Sequence, residues 1–424
     1  MKFYIENYGC TMNRGEGEAI SEALKELSFK EVERREEADL LILNSCVVIE
    51  TTERKMLKIL RQFKETGKPS IVTGCMADVF PEKIRDVHPS SFIVKTGKER
   101  QIKEILEKIE YLKREVGIKK ESTKSASPLL PGKRKSPTFI LPIAEGCLGK
   151  CSYCITRFAR GRLFSYPLGE LLSSFTEAVK NGAKEILLTS QDTGIYGRER
   201  GWSLPQLLTS LLEIEGKYFV RIGMMNPDSL KEIFEPFFEI FLSPAIYKFL
   251  HIPVQSGSNR ILKLMRRSYT KEEYINLVEK GRERCQFTLS TDIIVGFPGE
   301  SEEEFEESVK LIQRLKPDVV NITRFSDRPG TEASSLPAKV HGRITKERSR
   351  FLTELVNEIK MEKNERFVGD VCEVLVTKRG RKGTMLGRNA FYKPVVLHQK
   401  VKVGEFYKVE IKEAHQHYLV GKLL

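Results

Sequence analysis

Short apolar runs separated by stretches of helical period restrict what this chain can fold into more than any other feature. Between residues 138 and 326 six such runs recur: Thr138 to Ala144, Glu185 to Thr189, Phe219 to Met224, Phe249 to Pro253, Leu289 to Val295 and Val319 to Thr323. Helical sequence fills the gaps, as in Leu168 to Lys180, Ser258 to Met265, Lys271 to Arg284 and Ser301 to Leu315. Strands joined through helices lie parallel, because a hairpin turn serves only antiparallel neighbours. Six β/α units are too few for the closed eight-stranded form, so a partial (β/α)6 barrel is expected. The same alternation fills residues 1 to about 110, with strands at Lys2 to Asn7, Asp39 to Leu43, Pro69 to Thr73 and Ser91 to Val94. Helices are expected there at Glu16 to Leu27 and Thr51 to Thr66. The chain is therefore of the α/β class, with a parallel-sheet domain ahead of the barrel.

At 424 residues the chain exceeds one compact core. Residues 113–137 hold 8 Lys or Arg against 2 Glu, with Ser and Pro clusters and no apolar period, and read as a mobile basic linker. After a helix from Thr345 to about Arg366 the pattern changes to short strands with Gly-rich turns. These are Cys372 to Val376, Lys393 to Leu397, Phe406 to Ile411 and His417 to Leu423, and they predict a small antiparallel β-barrel. The expected domains are thus 1–112, the linker 113–137, the barrel domain 138–366 and the tail 367–424.

Six of the eight cysteines stand where strands end. Cys10, Cys46 and Cys75 each follow a strand of the amino-terminal domain, at the sheet edge where open parallel sheets bind ligands. Cys147, Cys151 and Cys154 follow the first barrel strand at C-x3-C-x2-C spacing. Structural zinc takes four ligands, usually in two close pairs, and no fourth Cys or His lies near this loop. Three thiolates suit three irons of a [4Fe-4S] cluster and leave one iron open to an amine and a carboxylate. This spacing resembles the signature of the radical S-adenosylmethionine (SAM) enzymes. The other three cysteines would hold a second [4Fe-4S] cluster in the same manner. Cys285 and Cys372 have no partner spacing and read as structural thiols. No run reaches the length of a membrane span, and Met1-Lys-Phe-Tyr-Ile-Glu lacks a signal-peptide layout. A cytoplasmic location, where thiols stay reduced, is the expectation.

Sites in parallel barrels gather at the carboxyl ends of strands. Gln191 and Asp192 follow the second barrel strand, Asn226 the third, Gln255 and Ser256 the fourth, and Gly296 the fifth. SAM offers an amine, a carboxylate, a ribose diol and an adenine edge, each wanting a hydrogen-bonding partner. Gln191 and Asp192 suit the amine or ribose, and Gly296 and Gly299 would let backbone approach the adenine or substrate. His251, in an apolar strand, reads as a packed or hydrogen-bonded barrel residue.

The formal net charge of +13 points to a polyanionic partner, with nucleic acid the expectation. From Phe367 to Leu424 there are 11 Lys and Arg against 5 Asp and Glu. Arg379, Arg381, Lys382, Arg388 and Tyr392 are the candidate RNA contacts, through phosphate attraction and base stacking. Phe391 and Tyr407 add further aromatic surface.

Taken together, the parts resemble the methylthiotransferases, a radical SAM family. The resemblance rests on Tyr8-Gly-Cys-Thr-Met-Asn13, Asn44-Ser-Cys46, Thr73-Gly-Cys75, Glu145-Gly-Cys-Leu-Gly-Lys-Cys-Ser-Tyr-Cys154 and Gln191-Asp-Thr193. It continues through His251-Ile-Pro-Val-Gln-Ser-Gly-Ser258, Asp292-Ile-Ile-Val-Gly-Phe-Pro-Gly-Glu300 and a TRAM-like tail. Tyr-Gly-Cys-Thr and Glu-Gly-Cys-Leu-Gly are closest to the archaeal and eukaryotic branch. That branch adds a methylthio group at C2 of N6-threonylcarbamoyladenosine at position 37 of tRNA, beside the anticodon. The resemblance implies that the cluster on Cys147, Cys151 and Cys154 cleaves SAM to a 5′-deoxyadenosyl radical. The auxiliary cluster on Cys10, Cys46 and Cys75 would carry the sulfur, methylated by a second SAM. It also implies a tRNA anticodon stem-loop as partner, a sulfur source and an electron donor of ferredoxin or flavodoxin type. Rival readings keep the chemistry but move it to a ribosomal protein or another tRNA adenosine derivative. Others make the protein a non-catalytic iron-sulfur RNA binder or a zinc scaffold.

Overall fold

A computed structural model describes residues 1–97, Ile102, Ile105, Leu106 and 136–424. The linker expected at 113–137 lies outside the described residues except for its last two positions. The chain forms two compact units. One holds the residues up to Leu106 together with Cys154–Arg162, and the other holds 136 to Tyr153 and Leu163–Leu424. The stretch Cys154–Arg162, expected in the barrel domain, thus packs with the amino-terminal residues.

In the first unit, strands β1 (Lys2–Asn7), β2 (Lys30–Glu31), β3 (Leu40–Ser45), β4 (Ser70–Gly74) and β5 (Phe92–Ile93) form a parallel sheet in the order β2-β1-β3-β4-β5. The middle strand β3 is buried along its whole length. Its alternate residues serve opposite faces: Leu41 and Leu43 pack in one core, Leu40 and Ile42 in the other. Helix α1 (Thr11–Glu26) brings Ile20 and Leu24 to the second core, and α2 (Glu50–Glu65) brings Met56, Ile59, Leu60 and Phe63 to the first. That spacing in α2 is one helical stripe, and each such side chain is worth about 1.5–3 kcal/mol when buried.

Helix α1 starts at Thr11, five residues before the expected Glu16. Asn13, Gly15 and Gly17 are poor helix formers, but all three are buried, so packing overrides propensity. Gly74, which ends β4, has φ +82°, and a Cβ there would lie 2.4 Å from the carbonyl oxygen of Ser45. Only glycine fits the turn that presents the next residue, Cys75.

The second unit holds β6 (Thr138–Pro142), a short ribbon of β7 (Ala144–Glu145) and β8 (Phe164–Ser165), β9 (Glu185–Thr189) and β10 (Phe219–Arg221). β11 (Phe249–His251), β12 (Thr288–Val295) and β13 (Val319–Arg324) follow. β6, β9 and β10 pair in parallel, as do β11, β12 and β13. Parallel bridges Val220–Ile246 and Met224–His251 join the two groups, giving the expected open run of six strands.

The tail forms a closed barrel of β14 (Val371–Arg379), β15 (Met385–Asn389), β16 (Pro394–Leu397), β17 (Phe406–Ala414) and β18 (Leu419–Leu423). β15 was not expected, since Met-Leu-Gly-Arg-Asn shows no apolar alternation. All pairs are antiparallel except β16 with β18, which closes the ring in parallel. The tail docks on the amino-terminal ends of the central strands. Lys248 N donates to Ala390 O at 2.8 Å, Thr288 Oγ1 donates to Phe391 O at 2.8 Å, and Phe406 packs on Phe219. Lys393 Nζ reaches Asp318 Oδ1 at 2.8 Å, and Lys363 Nζ reaches Oδ2 at 2.7 Å. Against burial, which raises it, these two ammonium groups hold the Asp318 carboxyl below its usual range.

Candidate active site at the strand ends

The first unit turns its cysteines to one edge. Its strand order reverses between β1 and β3, and the carboxyl end of such a reversal is where open sheets bind ligands. Cys10 follows β1 and caps the amino end of α1, Cys46 follows β3, and Cys75 follows β4. Cys10 is exposed, while Cys46 and Cys75 are buried. A Cβ on Gly9 would lie 3.2 Å from Cys46 Sγ, so the backbone leaves that sulfur its space. Burial raises the Cys46 thiol and pushes that of Cys75 up to about 12. Metal binding must therefore displace a proton from each.

A buried cation stands ready to balance that charge. Arg160 Nη2 donates to Asn13 Oδ1 at 2.6 Å and to Glu16 Oε2 at 2.9 Å. The same Asn13 oxygen accepts from Cys75 Sγ at 3.6 Å, and Asn13 Nδ2 ties the site to Tyr8 O and Ser45 O. The Arg160 charge opposes the effect of burial on both Cys46 and Cys75.

In the second unit the loop after β7 carries Cys147 and Cys151. Gly149 N donates to Cys147 Sγ at 3.2 Å, and a Cβ on Gly149 would sit 3.2 Å from Cys147 Sγ and 3.9 Å from Cys151 Sγ. Ser152 anchors the loop: its N–H donates to Met265 O, its hydroxyl to Leu264 O, and its carbonyl accepts from Ala333 N. Arg267 Nη1 donates to Cys151 Sγ at 3.1 Å, with Nη2 on Pro253 O and Nε on the Tyr269 hydroxyl. Cys154 opens the segment that packs in the first unit. All eight cysteines are free thiols. Among the described residues no three His, Cys, Asp or Glu side chains converge on a point for a single metal ion. The donor chemistry, three thiols and no other ligand type in each set, fits a cube that takes one thiolate at each of three corners.

The candidate SAM residues separate by role. Gln191 Oε1 accepts from Gly146 N at 2.7 Å and so steadies the cysteine loop. Asp192 accepts from Ser229 Oγ at 2.8 Å, Gly194 N at 3.1 Å and Asn226 N at 3.2 Å. Burial pushes its carboxyl up to about 6, with those three donors pulling the other way. Asp192 is thus occupied in tying β9 to the turn after β10. Asn226 Oδ1 is buried with no hydrogen-bond partner among the described residues, an acceptor whose chemistry suits an amine or hydroxyl donor. Gln255 is held in the left-handed region, φ +74°, by its amide on Asp292 O and its carbonyl on Ile294 N. Ser256 Oγ accepts from Ser258 N.

The space beside Gly296 is taken by Thr345, 2.4 Å from where a Cβ would be. The absence of a side chain at Gly296 therefore makes room for Thr345. His251 Nε2 lies 2.8 Å from Asp292 Oδ1, as a hydrogen-bonded barrel residue.

Of the RNA candidates, Arg379, Arg381 and Lys382 are exposed at the β14–β15 connection. Arg388 and Tyr392 are turned inward. The Arg388 guanidinium lies 3.9 Å from the Tyr392 ring centroid, its Nε is 3.6 Å from Glu185 Oε1, and Tyr392 packs on Tyr247 and Phe249. Their surroundings assign them to the seam with the central barrel, a correction to the expected RNA contact. Arg160 and Arg267 escaped the sequence reading, because each stands beside other arginines, at a helix end and in a turn, where arginine reads as surface.

Residues 2–95 match the Uncharacterized protein family UPF0004, 141–312 the Radical SAM superfamily and 365–424 the TRAM domain. Among solved structures, radical S-adenosylmethionine methyltransferase TsrM from Kitasatospora setae, with cobalamin and [4Fe-4S] cluster bound, superposes with TM-score 0.55 at 13% identity. That likeness covers 78% of this chain and 73% of that one, and it shows the fold. The "Probable threonylcarbamoyladenosine tRNA methylthiotransferase" of Archaeoglobus fulgidus is 42% identical over 100% of this chain and 99% of its own length. The one from Pyrococcus horikoshii is 41% identical over the whole of both chains. The Homo sapiens threonylcarbamoyladenosine tRNA methylthiotransferase is 34% identical over 99% of this chain and 74% of its own. The chain is an enzyme, and it belongs to the threonylcarbamoyladenosine tRNA methylthiotransferase family of radical SAM enzymes.

Proposed function

We propose that the protein places a methylthio group on C2 of N6-threonylcarbamoyladenosine at position 37 of tRNA. The observation that carries this reading is the pair of three-thiol sets at strand ends, in a chain that aligns end to end with archaeal relatives of that name. When bound, the cluster on Cys147, Cys151 and Cys154 with SAM supplies radical and methyl chemistry, and the auxiliary cluster on Cys10, Cys46 and Cys75 supplies sulfur.

The chain's own residues bind and position. Arg267 and Gly149 N–H direct donors at the sulfurs of Cys151 and Cys147. Gln191 fixes the loop's entry through Gly146, and Asp192 fixes the turn from which Asn226 offers a buried acceptor to the SAM amine or ribose. Burial shields the sulfurs of Cys46 and Cys75 from water, while Cys10 faces the open side of the set. Arg379, Arg381 and Lys382 draw in the phosphates of the anticodon arm. A ferredoxin- or flavodoxin-type donor and a separate sulfur source complete the partners. The working domains are 1–112, 138–366 and 367–424, and the setting is the cytoplasm. Among the described residues no helix is long and apolar enough to cross a membrane.

Anaerobic reconstitution tests the loading. About eight irons per chain are expected for two cubes, with SAM turned over to 5′-deoxyadenosine. Cys147→Ala should abolish that turnover and keep about four irons. A zinc-loaded protein without iron would overturn the reading.

A further inference from the structure

The central barrel presents an exposed aromatic pair beside its cysteine loop. β7 and β8 pair antiparallel, so Phe164 stands across from Glu145, two residues before Cys147. Phe164 is 48% exposed and Trp202 36%. One guanidinium bridges them: the Arg200 carbon lies 5.0 Å from the Phe164 ring centroid and 5.5 Å from that of Trp202. Tyr166 meets Phe164 edge-on at 5.6 Å and donates its hydroxyl to Glu145 Oε1 at 3.1 Å. The patch is therefore tied to the chain that enters the cysteine loop.

The loop bearing Arg200 and Trp202 is fastened to β8. Ser165 Oγ donates to Glu199 Oε2 at 3.0 Å and accepts from Gly197 N at 2.8 Å, while Arg200 N and Trp202 N both donate to Gly197 O at 2.8 Å. Single exposed aromatics are ordinary on a protein surface. Two rings joined by an arginine on a hydrogen-bonded frame, at the end of the barrel where the reacting groups gather, make a preformed stacking surface.

Two further observations select the occupant. The tail barrel docks on the opposite ends of these strands, at Lys248, Thr288 and Phe219. β12 alone has 8 residues and spans roughly 26 Å between the two ends. The exposed arginines of the tail therefore do not attend the nucleotide delivered to the mouth. A base offered for chemistry must leave its stack, and its unstacked neighbours then need a surface. Aromatic faces and arginine planes are what unpaired bases stack on.

We infer that Phe164, Arg200 and Trp202 form a stacking platform for an unpaired base of the RNA loop, next to the base being modified. The inference rests on the RNA-modifying reading and adds to it the surface that holds the flanking nucleotide.

Trp202 is the one tryptophan of the chain, so its emission reports on the platform directly. The anaerobic holoenzyme is titrated with an anticodon stem-loop RNA, and binding is followed separately by anisotropy of a dye-labelled copy. Trp202 emission should fall in step with binding. Trp202→Ala should weaken binding by roughly 5- to 150-fold, the range of base–aromatic stacking. Trp202→Phe should retain most of the affinity, which separates stacking from misfolding. Binding that leaves the emission unchanged, with Trp202→Ala as tight as wild type, overturns the platform and spares the RNA reading. An absence of RNA binding by anisotropy overturns both.

Discussion

Arg267 Nη1 lies 3.1 Å from the sulfur of Cys151, with its other nitrogens on Pro253 O and the Tyr269 hydroxyl. Donors at cluster sulfurs, and positive charge near them, favour the reduced form. Arg267→Gln should lower the reduction potential of the radical SAM cluster by up to roughly 130 mV, for a charged hydrogen bond of about 1.5–3 kcal/mol. A potentiometric titration followed by electron paramagnetic resonance checks this in Cys10→Ala background, where the auxiliary signal is removed. An unchanged potential would mean Arg267 only packs the loop.

Arg160 is the buried counter-charge of the auxiliary site, held by Glu16 and Asn13. Replacing one partner of a buried pair strands the other at a cost of roughly 3–5 kcal/mol. Arg160→Met should therefore drop iron from about eight to about four per chain while the SAM-binding cluster stays. Iron and sulfide analysis of the purified variant decides it.

Asp318 joins the tail barrel to the body through Lys393 and Lys363. Asp318→Asn leaves two ammonium groups inadequately paired and should cost roughly 3 kcal/mol or more. The measurement is urea unfolding of the variant against wild type. Equal midpoints would show that the seam is held by Phe219, Tyr247, Tyr392 and Phe406 alone.

Two buried acids set a pH dependence of the opposite sign to the usual acid denaturation. Burial pushes Asp192 from 3.8 up to about 6 and Glu300 from 4.5 up to about 7, the latter despite the Gly296 amide and Arg348. Between those values the folded chain keeps protons the unfolded chain has lost, so these groups make stability fall as pH rises from about 4 to about 7. Asp192→Asn should remove a share on the order of 2–3 kcal/mol from that decline. Thermal melts across this range, variant against wild type, test the sign.

The sequence made the parallel architecture legible because short, largely buried runs such as Leu40 to Leu43 and Leu289 to Val295 are separated by helical stripes. The places of the six candidate cysteines were legible as well: Cys10, Cys46, Cys75 and Cys147 stand after strand ends, and Cys151 and Cys154 follow Cys147 at short spacing. Side-chain roles were less so. Asp192 and Gly296 stand at strand ends, and only the fold shows that one also ties β9 to the turn after β10 and that the other leaves room for Thr345. Arg388 and Tyr392 look like RNA contacts by type, yet they fill a seam whose existence depends on how the tail docks. Arg160 lies far from Glu16 in sequence, and only the fold brings the pair together.

The central claim is tested most directly by nucleoside mass spectrometry. Holoenzyme is incubated anaerobically with SAM, a strong reductant and tRNA bearing N6-threonylcarbamoyladenosine, and the tRNA is digested. The account predicts a methylthio mass gain on that nucleoside, lost in Cys10→Ala and in Cys147→Ala. SAM cleavage by a fully iron-loaded enzyme with no gain on that nucleoside would contradict it.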